Sequence, residues 1–516
     1  MTKNIFRSAL IVATIAGFQA CGLNEKLGST LTREEADSVI TASSLLQSAY
    51  DNLQMPYQDF GNTWGLSQMT TDETVGPTRG GDWDDNGVWR ALHEHSWNSD
   101  HAHIQNAFTN LLTLQFSASN VLNFRPSANQ AAQARFLRAL SMFSVLDLWG
   151  QVPFRKPTDT LLKAPVVMKT QEAFDFIVAE LNDMMKDLGD RPVTEAYVAN
   201  KDAARFLLMK LYLNKGAFLN RKAPTFDAAD MQKVIAIADQ ISGTGNYSLA
   251  ADYFDNFARD NDVKSKENIF TQQNGPGFST VRGGNATYAR TKFTVHYNQV
   301  PSGWNGFTTL SDFYDKFEAA DRRIGGPYKG VTDTSGMNVG FLIGQQYDVN
   351  HNPLKDRKGN NLAFTREVQL KESGNNLEVT GIRVVKYPPD FFTSKKSIEN
   401  NEASNDYVFF RYADVLLMKA EALLRTGNAG AAQAIVDDLR QKRGASAIGA
   451  LDLNKLLDER GRELYWEGWR RQDLIRFGKF LLPWQLKPSD DPKYLLFPIP
   501  TSDLAVNPNL VQNPGY

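Results

Sequence analysis

The sequence is poor in cysteine and lacks a charge excess of either sign. Cys21 is the only cysteine in 516 residues, so an intramolecular disulfide is impossible and the fold must depend on its own core. The 56 Lys and Arg residues nearly balance the 58 Asp and Glu residues, which leaves a net charge of −2. This balance gives no electrostatic field that would attract a polyanion. We therefore expect no nucleic-acid partner.

Long hydrophobic runs are also missing, apart from one near the start of the chain. A short basic segment precedes an apolar run over residues 9–18, which is too short to cross a bilayer as a helix. The stretch Ala20-Cys21-Gly22 follows, and the whole arrangement resembles a bacterial lipoprotein signal. It predicts a signal peptide over residues 1–20, lipidation of Cys21 and a lipid-anchored tether over residues 21–35. The alternative is an ordinary signal peptide with a buried free thiol.

Motifs of the common enzyme classes are absent as well. The sequence contains no G-x-S-x-G elbow, no phosphate-binding G-x-x-x-x-G-K-[ST] loop and no H-E-x-x-H metal motif. We therefore expect a protein that is not an enzyme. The alternative is a glycoside hydrolase that uses the adjacent carboxylates Asp72-Glu73 or Asp84-Asp85, because such enzymes need two carboxyl groups at a set separation.

Apolar residues recur with helical period through much of the chain after the predicted tether. The clearest stripe runs from Ala128 to Trp149, and Gly150 should end that helix. Residues 57–100 lack this period and are predicted to form an ordered loop region. Further helices are predicted at Ala36–Met55, Ile104–Phe124, Gln171–Leu188, Ala203–Lys215, Asp227–Ser242, Val408–Thr426, Ala429–Arg443, Asn454–Glu467 and Arg471–Phe480.

These segments predict one body over residues 36–516. Its N-terminal part extends to about residue 245, and a variable insertion with short strands and long loops follows over about 245–405. The C-terminal part, about 406–516, is helical again. There Ala420, Gly427 and Ala432 fall at tetratricopeptide positions, with small residues at a helix crossing and a glycine at the turn.

Two groups of polar residues could bind a metal ion. Asp82, Asp84 and Asn86 reproduce the first half of a calcium loop, but His93 stands where a bidentate Glu is expected. A structural calcium ion is thus a weak candidate beside a solvated acidic turn, and we otherwise expect no cofactor. The two H-x-H pairs over residues 93–103 could offer imidazoles to zinc or copper, although a structural role for them is favoured.

Binding is better supported than catalysis, because aromatic residues stand among polar residues in two irregular regions. Trp83, Trp89 and Trp97 occupy the first region, and several Tyr and Trp residues with many glycines occupy residues 275–307. Sugar rings have apolar C–H faces and polar rims, so a flat aromatic ring beside Asn, Asp or Arg suits them. The alternative is that these aromatic side chains only hold long loops onto the body.

Nine characteristic stretches lie near the two ends of the predicted body. They are Ala134-Arg135-Phe136-Leu137-Arg138-Ala139-Leu140, Asp147-Leu148-Trp149-Gly150-Gln151-Val152-Pro153, Arg411-Tyr412-Ala413-Asp414, Lys419-Ala420-Glu421-Ala422, Asp458-Glu459-Arg460, Arg462-Glu463-Leu464, Glu467-Gly468-Trp469-Arg470-Arg471-Gln472-Asp473-Leu474-Ile475-Arg476-Phe477-Gly478-Lys479, Leu496-Phe497-Pro498-Ile499-Pro500, and Asn507-Pro508-Asn509-Leu510 to Asn513-Pro514-Gly515-Tyr516. In sequence and order they resemble the RagB/SusD family of nutrient-uptake lipoproteins.

The resemblance implies a mostly α-helical, SusD-like body of tetratricopeptide-like helix pairs, with irregular insertions that form the ligand face. It also implies a protein anchored by lipid on the outer membrane and facing outward. Such a protein would bind a glycan and deliver it to a SusC-like TonB-dependent transporter. The RagB branch of the family implies capture of peptides as the alternative.

The resemblance also indicates which residues should bind and which should support the fold. Family members bind glycans through aromatic residues in the two irregular regions. The repeated charged residues Arg460, Glu463, Glu467, Arg470, Asp473 and Arg476 are expected to form ion pairs along helix faces instead. The predicted glycan-binding residues are Arg79, Trp83, Trp89, Trp97, Asn98, Tyr297, Trp304 and Asn305.

Overall fold

A computed structural model describes residues 41–160, 162–192, 194–275, 290–375, 377–391, 403–488 and 490–516. The predicted signal peptide, Cys21 and the predicted tether lie outside the described residues. Within the described part of the chain, no helix is both long and apolar enough to span a bilayer.

The N-terminal half of the described chain is built from helices that pack against their neighbours in sequence. A long helix over Ala102–Val121 packs on the next one, Ala128–Trp149, which in turn packs on Thr170–Met184. The helices of this half are α1 Ala42–Asp51, α2 Thr63–Met69, α3 Val88–Glu94, α4 Ala102–Val121, α5 Ala128–Trp149, α6 Thr170–Met184, α7 Lys201–Leu219 and α8 Ala228–Gly243.

Helix α5 begins and ends at the residues that the sequence predicts. The Ser127 hydroxyl accepts a hydrogen bond from the Gln130 backbone, and the Gln130 side chain accepts one from the Ser127 backbone, which completes a capping box. Gly150 has a φ of 72° at the other end, a left-handed conformation that suits glycine. These local signals explain why the predicted bounds of this helix are confirmed.

The C-terminal helices also pack against their neighbours in sequence. Helix α12, Tyr412–Arg425, packs on α13, Ala429–Lys442, and also on α8 from the first half. Ala420 and Ala432 are fully buried where α12 meets α13, and Gly427 turns the chain between them with a φ of 83°. The later helices are α9 Asn261–Lys264, α10 Ser311–Tyr314, α11 Thr332–Ser335, α12 Tyr412–Arg425, α13 Ala429–Lys442, α14 Leu453–Leu464, α15 Arg470–Arg476 and α16 Thr501–Val506.

Strands are short and lie mostly in the region between α8 and α12. The strands are β1 Thr78–Arg79, β2 Gln151–Phe154, β3 Val166–Lys169, β4 Asn268–Gln272, β5 Gly325–Gly326, β6 Val339–Leu342, β7 Gly344–Gln345, β8 Ala363–Phe364, β9 Lys371–Glu372, β10 Arg383–Val385 and β11 Tyr407–Arg411. In the described chain they form small sheets: β2 with β3, β4 with β11, β7 with β8, the parallel pair β1 and β9, and β10-β6-β5.

Two predictions of secondary structure are wrong. The predicted loop region over residues 57–100 contains α2 and α3, which are each only two turns long and so leave little periodic signal. The predicted helix Val408–Thr426 begins at Tyr412, because the preceding residues form β11 and pair with β4 more than 130 residues earlier. That partner strand decides the conformation and is invisible to a local pattern.

A buried network of ion pairs joins α14 to the rest of the body. Glu463 is fully buried, and its carboxylate accepts hydrogen bonds from Arg411 at 2.7 Å, Arg443 at 2.8 Å and Arg323 at 3.1 Å. Burial alone would raise the pKa of Glu463, but the three guanidinium groups hold it well below the usual value. The network therefore links distant segments through one carboxylate.

The charged residues of α14 and α15 mostly pair across elements and not along helix faces. Arg460 contacts Asp414 of α12 at 2.9 Å and Asp473 of α15 at 2.8 Å. Arg470 contacts Asp72 at 2.7 Å, near the start of the chain's body. Among the described ion pairs of the six residues predicted to pair along helix faces, only Arg476 with Asp473, at 2.7 Å, has the predicted three-residue spacing. The expectation of pairs along helix faces is corrected to this extent.

Candidate functional site

The first irregular region that the sequence analysis singled out meets the described part of the second, residues 290–307, in the structure. Val75 and Thr308 exchange backbone hydrogen bonds of 2.9 and 3.0 Å, which fix the first region against the second. Residues 292–307 also fold back on themselves, since the Trp304 N–H donates to the Lys292 carbonyl at 2.6 Å. Side chains that are more than 200 residues apart in sequence therefore share one surface.

An aromatic surface, defined by Phe60, Trp83 and Trp304, forms where the two regions meet. The ring centres of Trp83 and Trp304 lie 6.5 Å apart, and Phe60 lies 6.2 Å from each of them. Trp304 is 36% exposed, and the other two rings are half-buried. Part of each of the three side chains is therefore accessible to solvent, while the rest packs on the body.

The position of Trp83 depends on a close approach to glycine. Its indole Nε1 donates a 2.9 Å hydrogen bond to the Trp304 carbonyl. The ring lies against Gly306, where an added Cβ would come within 2.3 Å of the indole carbon Cε2. Any larger residue at position 306 would displace the ring, so Gly306 sets the relative position of the two indoles.

Polar groups stand at the edge of this surface. The Tyr297 hydroxyl donates to Asp82 at 3.0 Å, and the Arg357 guanidinium lies 4.0 Å from the centre of the Tyr297 ring. Burial, with the charge of Asp82, raises the pKa of Tyr297 to about 12, so the phenol remains protonated at neutral pH. The Lys292 ammonium lies 5.3 Å from the centre of the Trp304 ring. Asp82, Tyr297 and Arg357 form a rim that begins at the sequence neighbour of Trp83 and provides both donors and acceptors.

Arg79 and Asn305 lie beneath the surface and hold its loops together. Arg79 is 4% exposed and donates to the carbonyls of Leu377 at 2.9 Å and Gly306 at 3.3 Å. Asn305 is 1% exposed, and its side-chain oxygen accepts from Arg383 at 2.8 Å. Both side chains therefore hold neighbouring loops in position and do not face solvent.

Trp89 and Trp97 do not present ring faces to solvent. Their exposed fractions are 1% and 2%, and the expectation of a solvent-facing platform is corrected for both. Trp89 packs under the surface, 5.6 Å from Phe60, and Trp97 packs against Tyr494 from the C-terminal segment at 4.9 Å. Asn98 is exposed, and its side chain accepts from the Asp100 N–H at 3.0 Å. Trp97 and Asn98 are thus not brought to the aromatic surface.

The candidate calcium residues already have protein partners. Asp84 accepts from Arg90 at 2.9 Å, and Asp82 accepts from Tyr297; Asn86 is exposed. In the ranges that the structure describes, no three His, Cys, Asp or Glu side chains cluster in a way that could hold a metal ion. The geometry therefore favours an acidic turn paired with side chains over a calcium loop.

The carboxylates considered for hydrolysis also contact the scaffold. Asp72 forms an ion pair with Arg470, and Glu73 is 1% exposed and accepts from the Trp466 N–H at 3.1 Å. Burial raises the pKa of Glu73 to about 8. Asp85 accepts from the Trp89 indole at 2.8 Å. The contacts of Asp72 and Glu73 therefore fix the first region on the C-terminal part of the chain, and that of Asp85 lies within the first region.

The histidines of the first region should make the protein sensitive to acid. His93 is fully buried between the carbonyls of Thr74 and Gln485, and burial lowers its pKa to about 4. In the unfolded chain His93 takes up a proton near the ordinary histidine pKa of about 6.5, whereas in the folded chain it does so only near pH 4. The free energy of unfolding is therefore unaffected by this group well above pH 6.5 and falls as the pH drops towards 4. We expect this one group to remove about 2 kcal/mol of stability between about pH 7.5 and about pH 5.

Urea unfolding of the wild type and His93→Asn at both pH values measures this effect. The variant should lose less stability on acidification than the wild type, whatever its stability at neutral pH. An equal loss in both proteins would show that His93 is not the responsible group.

The sequence analysis did not identify Phe60 of the aromatic surface or Arg357 of its rim. Phe60 precedes Gly61 in the region predicted to be a loop, and folding brings its ring to 6.2 Å from that of Trp83. Arg357 comes from the segment between β7 and β8 and reaches Tyr297 only after folding. The one sequence feature that could have identified Phe60 is an aromatic residue directly before a glycine. No feature of the sequence around Arg357 indicates a role in the site.

Comparison with known sequences identifies the family to which the chain belongs. The sequence profile of the SusD family matches residues 227–516, more than half of the chain. The chain belongs to the SusD family. This confirms the resemblance that the motifs near both ends indicated.

Curated relatives in the SusD family are similar over most of this chain. Starch-binding protein SusD of Bacteroides thetaiotaomicron is 28% identical over 419 residues, which cover 75% of this chain and 73% of that protein. SusD-like protein P2 of Formosa agariphila is 26% identical over 420 residues, with coverage of 75% and 74%.

Solved structures of SusD-like proteins share the fold. A laminarin binding SusD-like protein superposes with a TM-score of 0.69 at 20% identity, covering 92% of this chain and 99% of that chain. Surface glycan-binding protein A from Bacteroides thetaiotaomicron in complex with laminarihexaose gives a TM-score of 0.68 at 18% identity, with coverage of 92% and 98%. These likenesses confirm the predicted mostly helical, SusD-like fold.

Proposed function

We propose that this protein is a non-catalytic glycan-binding protein whose ligand stacks on the aromatic surface of Phe60, Trp83 and Trp304. The observation that carries the proposal is the pair of indoles held 6.5 Å apart at the meeting of the two irregular regions, with Trp304 36% exposed. Relatives named for binding starch and laminarin support a glycan as the ligand class.

The chemistry of the surface suits a sugar. Each indole can cover the apolar C–H face of a pyranose ring, which removes both from water. Tyr297, Asp82 and Arg357 at the rim can exchange hydrogen bonds with hydroxyl groups, and their mutual contacts fix them before the ligand arrives. Orientation then comes from the rim, while affinity comes from the rings.

The proposal includes the place of the protein in the cell. We propose that Cys21 carries a lipid, that the protein faces outward on the outer membrane, and that a SusC-like TonB-dependent transporter receives the glycan. Family membership supports this arrangement. The protein would then capture glycan fragments without cleaving them.

Removing one ring should weaken binding without harming the fold. Trp304→Ala should reduce glycan affinity by about 10- to 100-fold, because a stacked indole contributes about 1–3 kcal/mol. Isothermal calorimetry of the purified protein against plant, fungal and host glycans, with starch and laminarin oligosaccharides included, measures this change.

Trp484→Ala is the matched control. This half-buried indole packs against Phe480, with ring centres 6.1 Å apart, outside the aromatic surface. Its removal should leave affinity unchanged. Release of shorter products would point to a hydrolase instead, and binding of peptides with no glycan bound would point to RagB-like capture.

A further inference from the structure

One acidic side chain, Glu378, contacts the rim of the proposed site but is itself mostly buried. Its Oε1 accepts from Arg357 Nε at 2.6 Å, and its Oε2 accepts from the Arg357 backbone N–H at 3.0 Å. Oε2 also accepts from His296 Nε2 at 2.9 Å. The Glu378 side chain is 12% exposed, whereas that of Arg357 is 49% exposed. A ligand at the rim can therefore contact Arg357 much more readily than Glu378.

The histidine that donates to Glu378 has a fixed proton position. His296 Nδ1 accepts from the Asn298 backbone N–H at 3.0 Å. Because a backbone N–H can only donate, the proton of the neutral ring must lie on Nε2, which then donates to Glu378. Burial lowers the pKa of His296, so the ring is neutral at pH 7. The His296 side chain has no exposed surface, and its hydrogen bond thus fixes the Glu378 carboxylate from within the body.

The guanidinium of Arg357 is fixed by three contacts. Besides the bond from Nε to Glu378, Nη2 lies 3.4 Å from Asp82 Oδ2, and the guanidinium carbon lies 4.0 Å from the centre of the Tyr297 ring. The bond to Glu378 is much shorter than the contact with Asp82 and joins two charged groups, so it contributes most to the orientation. Glu378 therefore determines where the Arg357 side chain lies.

The backbone of Glu378 also connects the rim to the aromatic surface. Its carbonyl accepts from Asn305 Nδ2 at 3.0 Å, and Asn305 directly follows Trp304. At the other end, Asp82 of the rim directly precedes Trp83. The rim and the aromatic surface are thus joined beside both tryptophans.

We propose that Glu378 is a positioning residue for glycan binding. It holds the Arg357 guanidinium over the Tyr297 ring, and from there Arg357 donates a hydrogen bond to an oxygen of the sugar. An unrestrained arginine would lose its rotamer freedom only when the ligand binds, which weakens affinity. Glu378 avoids this loss because it orders the side chain in the free protein. The role of Arg357 as a ligand contact rests on the proposed function, whereas the contacts of Glu378 do not.

A double-mutant cycle tests whether Glu378 acts through Arg357. Calorimetry with laminarihexaose and maltohexaose is carried out on the wild type, Glu378→Gln, Arg357→Ala and the variant with both changes. Glu378→Gln should lower affinity by about fivefold to tenfold, and Arg357→Ala by about tenfold or more, because a hydrogen bond from a charged group is stronger than a neutral one. In the Arg357→Ala background, Glu378→Gln should change affinity by less than about twofold.

An equal loss on Glu378→Gln in both backgrounds would overturn the inference, because Glu378 would then support the loops and not Arg357. Thermal unfolding of each variant verifies that it is folded. Asp315→Asn is the matched control, since it also removes a carboxylate that accepts from an exposed arginine, Arg366, but lies outside the rim. It should leave affinity unchanged.

Trp304→Ala separates this inference from the proposed function. Wild-type binding that Trp304→Ala weakens but Glu378→Gln leaves unchanged would overturn the inference alone, and a wild type that binds no glycan would contradict the proposed function. Crystal structures of the ligand-free wild type and Glu378→Gln give a second readout. Arg357 should leave the Tyr297 ring in the variant only. If it kept its place in the variant, the inference would be overturned whether or not a glycan binds.

Discussion

Replacing Glu463 by Gln should destabilise the protein by about 3–5 kcal/mol, the cost typical of breaking a buried ion pair by changing one partner. The substitution keeps the shape of the side chain but removes the charge that compensates Arg323, Arg411 and Arg443. These guanidinium groups are at most 1% exposed, so water cannot replace the lost carboxylate. Urea unfolding measured with the wild type and Glu463→Gln gives the difference directly.

An exposed ion pair provides the control for this effect. Asp315 contacts Arg366 at 2.6 Å, but the two side chains are 56% and 41% exposed. Asp315→Asn should therefore cost less than about 1 kcal/mol. If both variants lost equal stability, burial would not be the reason that the network matters. Folded Glu463→Gln should still bind glycan with wild-type affinity, because the network supports the scaffold.

Removing both indoles should have the largest effect on binding. Trp83→Ala/Trp304→Ala should lower glycan affinity by about 100-fold or more, since each ring contributes about 1–3 kcal/mol. The two rings lie close enough to contact one sugar chain together, so their effects need not add. Calorimetry of the two single variants and the double variant measures the coupling between the rings.

The Trp83 variant needs a control of its own, because that ring is also packed. Its indole bonds to the Trp304 carbonyl and lies on Gly306, so its loss could loosen the loop that carries Trp304. Trp83→Phe keeps an apolar ring and should retain more affinity than Trp83→Ala. Equal loss in both would mean that the hydrogen bond of the indole, and not its ring face, is required.

The sequence predicted the elements that carry their own signals. Helix α5 has a capping box, a continuous apolar stripe and a left-handed glycine, and its bounds are as predicted. Strand β11 has none of these, because its conformation depends on β4 far away in the chain. Local patterns therefore predict an element well only where its start and end are set by neighbouring residues.

The candidate site was also only partly predictable from local sequence. Composition located both irregular regions, and Trp83 and Trp304 do meet on one surface. It could not separate these residues from Trp89 and Trp97, which stand in similar surroundings in the sequence but are buried. Whether a tryptophan faces solvent is decided by the segments packed on it, such as the C-terminal segment over Trp97. The residues around Trp97 in the sequence do not indicate that contact.

The measurement that tests the central claim most directly is a crystal structure of the protein with a bound oligosaccharide that calorimetry has identified. The account predicts sugar rings stacked on Trp83 and Trp304, with hydroxyl groups in hydrogen-bond contact with the rim of Tyr297, Asp82 and Arg357. A bound sugar that leaves both indole faces uncovered would contradict it.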